Sequence, residues 1–85
     1  MPNSVPVDPP EFSGFIISLA TTAGMHLNGA PGQGVDLELA RETIGILAML
    51  EEKTAGNLTS EETKLLTGVL FQLRMDYVRR ETSAG

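Results

Sequence analysis

The chain has a single histidine, His26, and no cysteine, which narrows at once the chemistry its side chains can do. Without thiols there are no disulfides, no thiolate nucleophile, no iron–sulfur ligation and none of the common structural zinc sites. A metal centre on His26 needs more ligands. Di-iron helical bundles place a glutamate three residues before the histidine, and here that position is Ala23. His26 therefore reads as a packing or capping residue near a helix end, where an imidazolium would also suit the helix dipole.

The hydroxyls of Ser13, Ser18, Thr21 and Thr22 would need a positioned base and an oxyanion hole to act as nucleophiles, and no GxSxG-type turn surrounds any of them. Gly29, Gly32 and Gly34 match neither GxGxxG nor GxxxxGK[ST], and no lysine follows them, so they read as a linker rather than a phosphate cradle. Glu51-Glu52 and Glu61-Glu62 resemble paired carboxylates. Adjacent helical residues point about 100° apart, however, so they read as solvated faces. No catalytic residue, metal ligand or cofactor site is expected from these patterns.

Three helices must carry these residues. Asp8-Pro9-Pro10-Glu11 is a helix entry with capping-box spacing, and a first helix is expected over about 10–27. Its apolar positions Phe12, Phe15, Ile16, Leu19, Ala23 and Leu27 follow the helical repeat, while Ile17, Ala20 and Gly24 add a second apolar flank. Residues 28–35, NGAPGQGV, form a flexible connector. Asp36 caps a second helix over about 37–55, closed by Gly56-Asn57 with glycine in the left-handed position. The run IGILAML at 44–50 is uncharged, so the middle of this helix is apolar around most of its circumference.

Thr59-Ser60-Glu61-Glu62 is a capping box opening a third helix over about 60–81. Leu66, Leu70, Leu73 and Tyr77 form its seam, widened by Leu65, Val69 and Phe71. Asp76 and Arg80 stand at i, i+4 spacing. The short link between the second and third helices makes them an antiparallel αα-hairpin. The first helix packs on that hairpin within its own chain or across to another. The fold class is thus all-α: a Pro-rich, flexible 1–9, one helical domain over 10–81 and a frayed 82–85. The mid-helix glycines Gly14, Gly24 and Gly45 each cost about 0.5–1 kcal/mol relative to alanine, which suggests compensation by close helix approach.

Composition sets the partners. Eleven acidic against six basic side chains give a net charge of −5, which repels nucleic acid and anionic lipid. Residues 12–35 carry no charge, but Ser13, Ser18, Thr21, Thr22 and His26 interrupt the apolar run and no membrane span is expected. The opening MPNSVPVDPP fits no signal or transit peptide, so the expected location is the cytoplasm. At this length a single unstapled core supplies about 3–5 kcal/mol, and oligomerisation is a common supplement.

Several stretches resemble a known family. They are Phe12-Ser13-x-Phe15-Ile16-x-Ser18-Leu19-Ala20, Met25-His26-Leu27, and the long segment from Leu39-Ala40-Arg41 through Met49-Leu50-Glu51-Glu52-Lys53-Thr54-x-Gly56-Asn57-Leu58-Thr59-x-Glu61-Glu62. Together with Leu65-Leu66 and Leu73-Arg74-Met75-x-Tyr77-Val78, they are similar to the short bacterial proteins grouped as domain of unknown function 1844. The resemblance runs over nearly all of 12–78. It implies a bacterial, helical, cytoplasmic protein and brings no activity, cofactor or catalytic residue with it.

The leading expectation is a non-enzymatic helical module that associates with itself as a dimer or higher homo-oligomer. Phe15, Ile16, Leu19 and Ala23 of the first helix would meet Ile44, Ile46, Leu47, Met49 and Leu50 of the second across chains. A rival is an adaptor whose groove takes an amphipathic helix of another protein, with Met25, Met49 and Met75 as adaptable contacts. A small-molecule or metal-binding enzyme around His26 and Glu42 stands last.

Overall fold

A computed structural model describes residues 11–84. Three helices follow one another, α1 (Phe12–Asn28), α2 (Leu37–Lys53) and α3 (Ser60–Ala84), and each packs on the other two. Asn28, at the end of α1, meets Arg80 near the end of α3. Val35 and Leu37, where α2 begins, share a cleft with Arg80 and Ser83. The chain therefore runs up, down and up, with α2 and α3 the antiparallel hairpin and α1 packed on it within the same chain.

The helix boundaries follow from local hydrogen bonding. α1 begins at Phe12, two residues after the expected start. Glu11 is still extended (ψ 143°), its side chain caps nothing, and its carbonyl accepts the first helical bond, from Phe15 N. The Asp8 cap lies outside the described residues. Asp36 does cap α2, accepting from Leu39 N at 3.0 Å. α2 stops at Lys53 rather than near 55. The amide and hydroxyl of Thr54 both donate to Leu50 O, and the next bonds, Ala55 N to Glu52 O and Asn57 N to Thr54 O, tighten into three-residue turns. Gly56 then takes a positive φ of 87°, as its type permits.

The capping box opens α3 reciprocally. Thr59 N donates to Glu62 Oε1 at 2.9 Å, and Glu62 N donates to Thr59 Oγ1 at 3.1 Å. The helix continues to Ala84, three residues past its expected end. The connector between α1 and α2, expected to be merely flexible, holds a turn. Ala30 and Gln33 exchange backbone bonds of 2.9 and 2.7 Å around Pro31-Gly32, and Gly32 has a φ of 81°. Proline followed by a positive-φ glycine is the order a type II turn requires.

The core is Ile16, Ala23 and Leu27 of α1, Ala40, Ile44 and Leu47 of α2, and Leu66, Leu70 and Leu73 of α3. On α2 and α3 these stand at i, i+4, i+7, the spacing that keeps one stripe on the neighbouring helices. Thr43 is buried beside them, and its hydroxyl is satisfied by Leu39 O at 2.9 Å. The mid-helix glycines are not explained by close packing inside the chain. A Cβ at Gly14, Gly24, Gly45 or Gly68 would meet nothing within 4 Å.

Candidate functional site

His26, half-buried in the last turn of α1, borders a cleft of about 250 Å³ with Gln33, Gly34, Val35, Asp36 and Leu39. Its backbone carbonyl accepts from Asp36 N at 2.8 Å, so the segment joins the α1 end to the α2 start. Asp36 is the other ionisable group of the cleft, and its carboxylate is engaged as the α2 cap. Glu42 does not line it. No set of three or more His, Cys, Asp or Glu among the described residues is grouped to hold a metal ion.

Of the other chemistry-bearing side chains, Thr21, Thr22 and Glu62 serve their own helices, and Glu51 reaches from α2 to α3. Thr21 Oγ1 donates to Ile17 O and Thr22 Oγ1 to Ser18 O. Glu62 closes the capping box, and Glu51 accepts a long bond from Thr67 Oγ1 at 3.4 Å. At the far end, Asp76 pairs with Arg79 at 3.1 Å, not with Arg80 as its spacing suggests. Arg80 turns instead to Asn28 Oδ1 at 2.9 Å. Sequence reasoning missed this tie because it joins residues 52 positions apart and no local pattern announces it.

The residues expected to meet a second chain divide into two groups. Ile16, Ala23, Ile44 and Leu47 are buried inside the single chain, and Leu19 and Leu50 are half-buried against that core. Phe15, Ile46 and Met49 remain exposed. The structure adds Ile17, Met25, Val35 and Leu39 to them, and on α3 it adds Phe71, Met75 and Val78. Phe71, placed by its sequence on the α3 seam, is 64% exposed because it follows the buried Leu70 by one residue, about 100° round the helix. Met25, Met49 and Met75 each lie two residues after a buried residue, Ala23, Leu47 and Leu73. That offset is about 200°, so the three methionines face outward on separate helices rather than lining one groove.

The most distinctive surface is that of α1. Its outward residues Gly14, Phe15, Ile17, Ser18, Thr21, Thr22 and Met25 are exposed and none is charged. Leu39, which shares the cleft with His26, lies beside the last turn of α1, and Ile46 continues that edge of α2 at i+7. No helix among the described residues is long and apolar enough to cross a membrane.

Residues 9–79 match a family model described as Domain of unknown function (DUF1844), a span that takes in α1, α2 and most of α3. The chain belongs to the DUF1844 family. No curated protein and no solved structure matches the chain. Membership names no activity for the DUF1844 domain, so its chemistry rests on the geometry above: an intact three-helix core and an uncharged outward face along α1, bordered on α2 by the exposed Leu39 and Ile46.

Proposed function

We propose that this DUF1844 domain is a non-enzymatic interaction module of the bacterial cytoplasm that pairs with a second copy of itself through the α1 face. One observation carries the reading. The outer surface of a whole helix, with Phe15, Ile17 and Met25 exposed, holds no charged side chain in a protein of net charge −5. On α2, Glu38, Glu42, Glu51 and Glu52 outnumber Arg41 and Lys53, so two copies meeting there would face like-charge repulsion. On α1 they meet without that cost, and desolvation of the apolar side chains favours contact.

A two-fold arrangement presents the same patch on both copies. Antiparallel α1 helices would set Phe15 of one copy near Met25 of the other. α1 is about 25 Å long at ~1.5 Å per residue. Leu39 and Ile46 of α2 border the strip, with the exposed Glu42 within one turn of each.

The test is the absolute mass in solution, by light scattering on a size-exclusion column over a hundredfold range of concentration. A constant multiple of the 9.1 kDa chain is expected. A monomer at every concentration overturns the proposal and leaves the α1 face to another protein's helix, which is the adaptor reading.

A further inference from the structure

Where the C-terminal ends of α1 and α3 meet, two adjacent arginines converge on one cavity. Asn28, Asp76, Arg79, Arg80 and Ser83 line a space of about 380 Å³. Arg80 and Ser83 also form a wall of a second space, of about 230 Å³, whose other sides are Val35 and Leu37. The first space is polar; the second adds an apolar floor. Val35 is 49% exposed there, although its side chain is large and apolar.

Each guanidinium has one partner and stays exposed to solvent. Arg79 Nη2 lies 3.1 Å from Asp76 Oδ1, which also accepts from Gln72 Nε2 at 3.2 Å. Arg80 Nη2 donates to Asn28 Oδ1, and Asn28 is itself fixed by its amide on Gly24 O at 3.0 Å. Each guanidinium has five N–H donors, so donors remain on both beyond these contacts. Two cations face one carboxylate in this lining, a local positive excess in a chain of net charge −5. Interaction with the negative C-terminal end of α3 would account for basic residues near it. It does not account for the reach of Arg80 across to α1 or for the apolar space beside it.

We infer that this paired cavity is a binding site for a carboxylate carrying a short apolar group. The carboxylate would take the free N–H groups of Arg80 and Arg79, with the Ser83 hydroxyl as a further donor, and the apolar group would lie on Val35 and Leu37. A fork of N–H donors matches the two oxygens of a carboxylate, and cover for the apolar chain separates such a ligand from a simple inorganic ion. The site is distinct from the outward face of α1, so it stands whether or not the domain self-associates.

Amide chemical shifts of the full chain, recorded by NMR during titration, test the inference. Sodium hexanoate represents a free acid and N-acetyl-leucine a protein C-terminus; the tighter of the two identifies the source. Saturable shifts at Val35, Leu37, Arg79, Arg80 and Ser83 are expected with one or both. Arg79→Gln and Arg80→Gln should each weaken binding roughly tenfold, the loss of one charge-assisted contact. If Arg80→Gln disturbs the fold through its tie to Asn28, Arg79→Gln and Ser83→Ala carry the comparison, with retained spectral dispersion as the control. Non-saturating shifts with both acids, equal shifts from hexanamide, or equal affinity for inorganic phosphate would each overturn the assignment.

Discussion

Arg80 Nη2 donates to Asn28 Oδ1 at 2.9 Å and thereby ties α3, one turn before its end, to the last residue of α1. The bond is exposed, and water competes for both partners. We expect Asn28→Ala and Arg80→Ala to couple by less than about 1 kcal/mol. A double-mutant cycle in urea measures this. Additive effects of the two changes would mean that the contact does not hold the helix ends together.

The capping box has a sharper prediction. Thr59→Ala removes the acceptor for Glu62 N and should cost about 1 kcal/mol, while Thr59→Ser should restore most of it. The urea midpoint should fall with an unchanged slope, because the helix loses its cap and not its packing.

Leu47 is fully buried between the helices. Leu47→Ala should cost about 2–5 kcal/mol, comparable to the whole stability of so small a core. Loss of the cooperative thermal transition by circular dichroism is the expected result. Ile16→Asp would act in the same way, since Ile16 is also fully buried, and so cannot probe an interface. Ile46→Asp and Ile17→Asp change exposed residues and should separate the copies while keeping the helical spectrum. Light scattering reads the first effect and circular dichroism the second.

Glycines divide by backbone conformation. Gly56, at a φ of 87°, should lose about 1 kcal/mol on change to alanine. Gly45→Ala and Gly68→Ala, mid-helix with open space around the new Cβ, should gain about 0.5–1 kcal/mol each. Gly14→Ala stabilises the isolated chain for the same reason. Gly14 lies on the uncharged α1 face, so the same change should weaken pairing if two α1 backbones approach there. Opposite signs in denaturation and in concentration-dependent mass would locate the contact.

Much of the fold was legible because its signals are local. Asp36, the Thr59/Glu62 pair and Gly56 act on their immediate neighbours, and the Leu66, Leu70, Leu73 repeat needs only helical periodicity to be read as a seam. The candidate site was legible in part. The lack of charge along α1 is written in the residues, but its sequence offers two apolar flanks and does not say which one faces the hairpin.

The amino-acid order by itself determined three helices, the α2–α3 hairpin, an acidic surface and the absence of thiol chemistry. Tertiary structure alone decided that Ile16, Ala23, Ile44 and Leu47 are buried within one chain, that Phe15, Ile17, Ile46 and Met49 are left outside, and that Arg80 finds Asn28 in place of Asp76. The reason is physical. Caps and helical periodicity are fixed by residues within one turn of each other, whereas the choice between equally apolar flanks, or between two acceptors within reach of one arginine, depends on where the other helices lie.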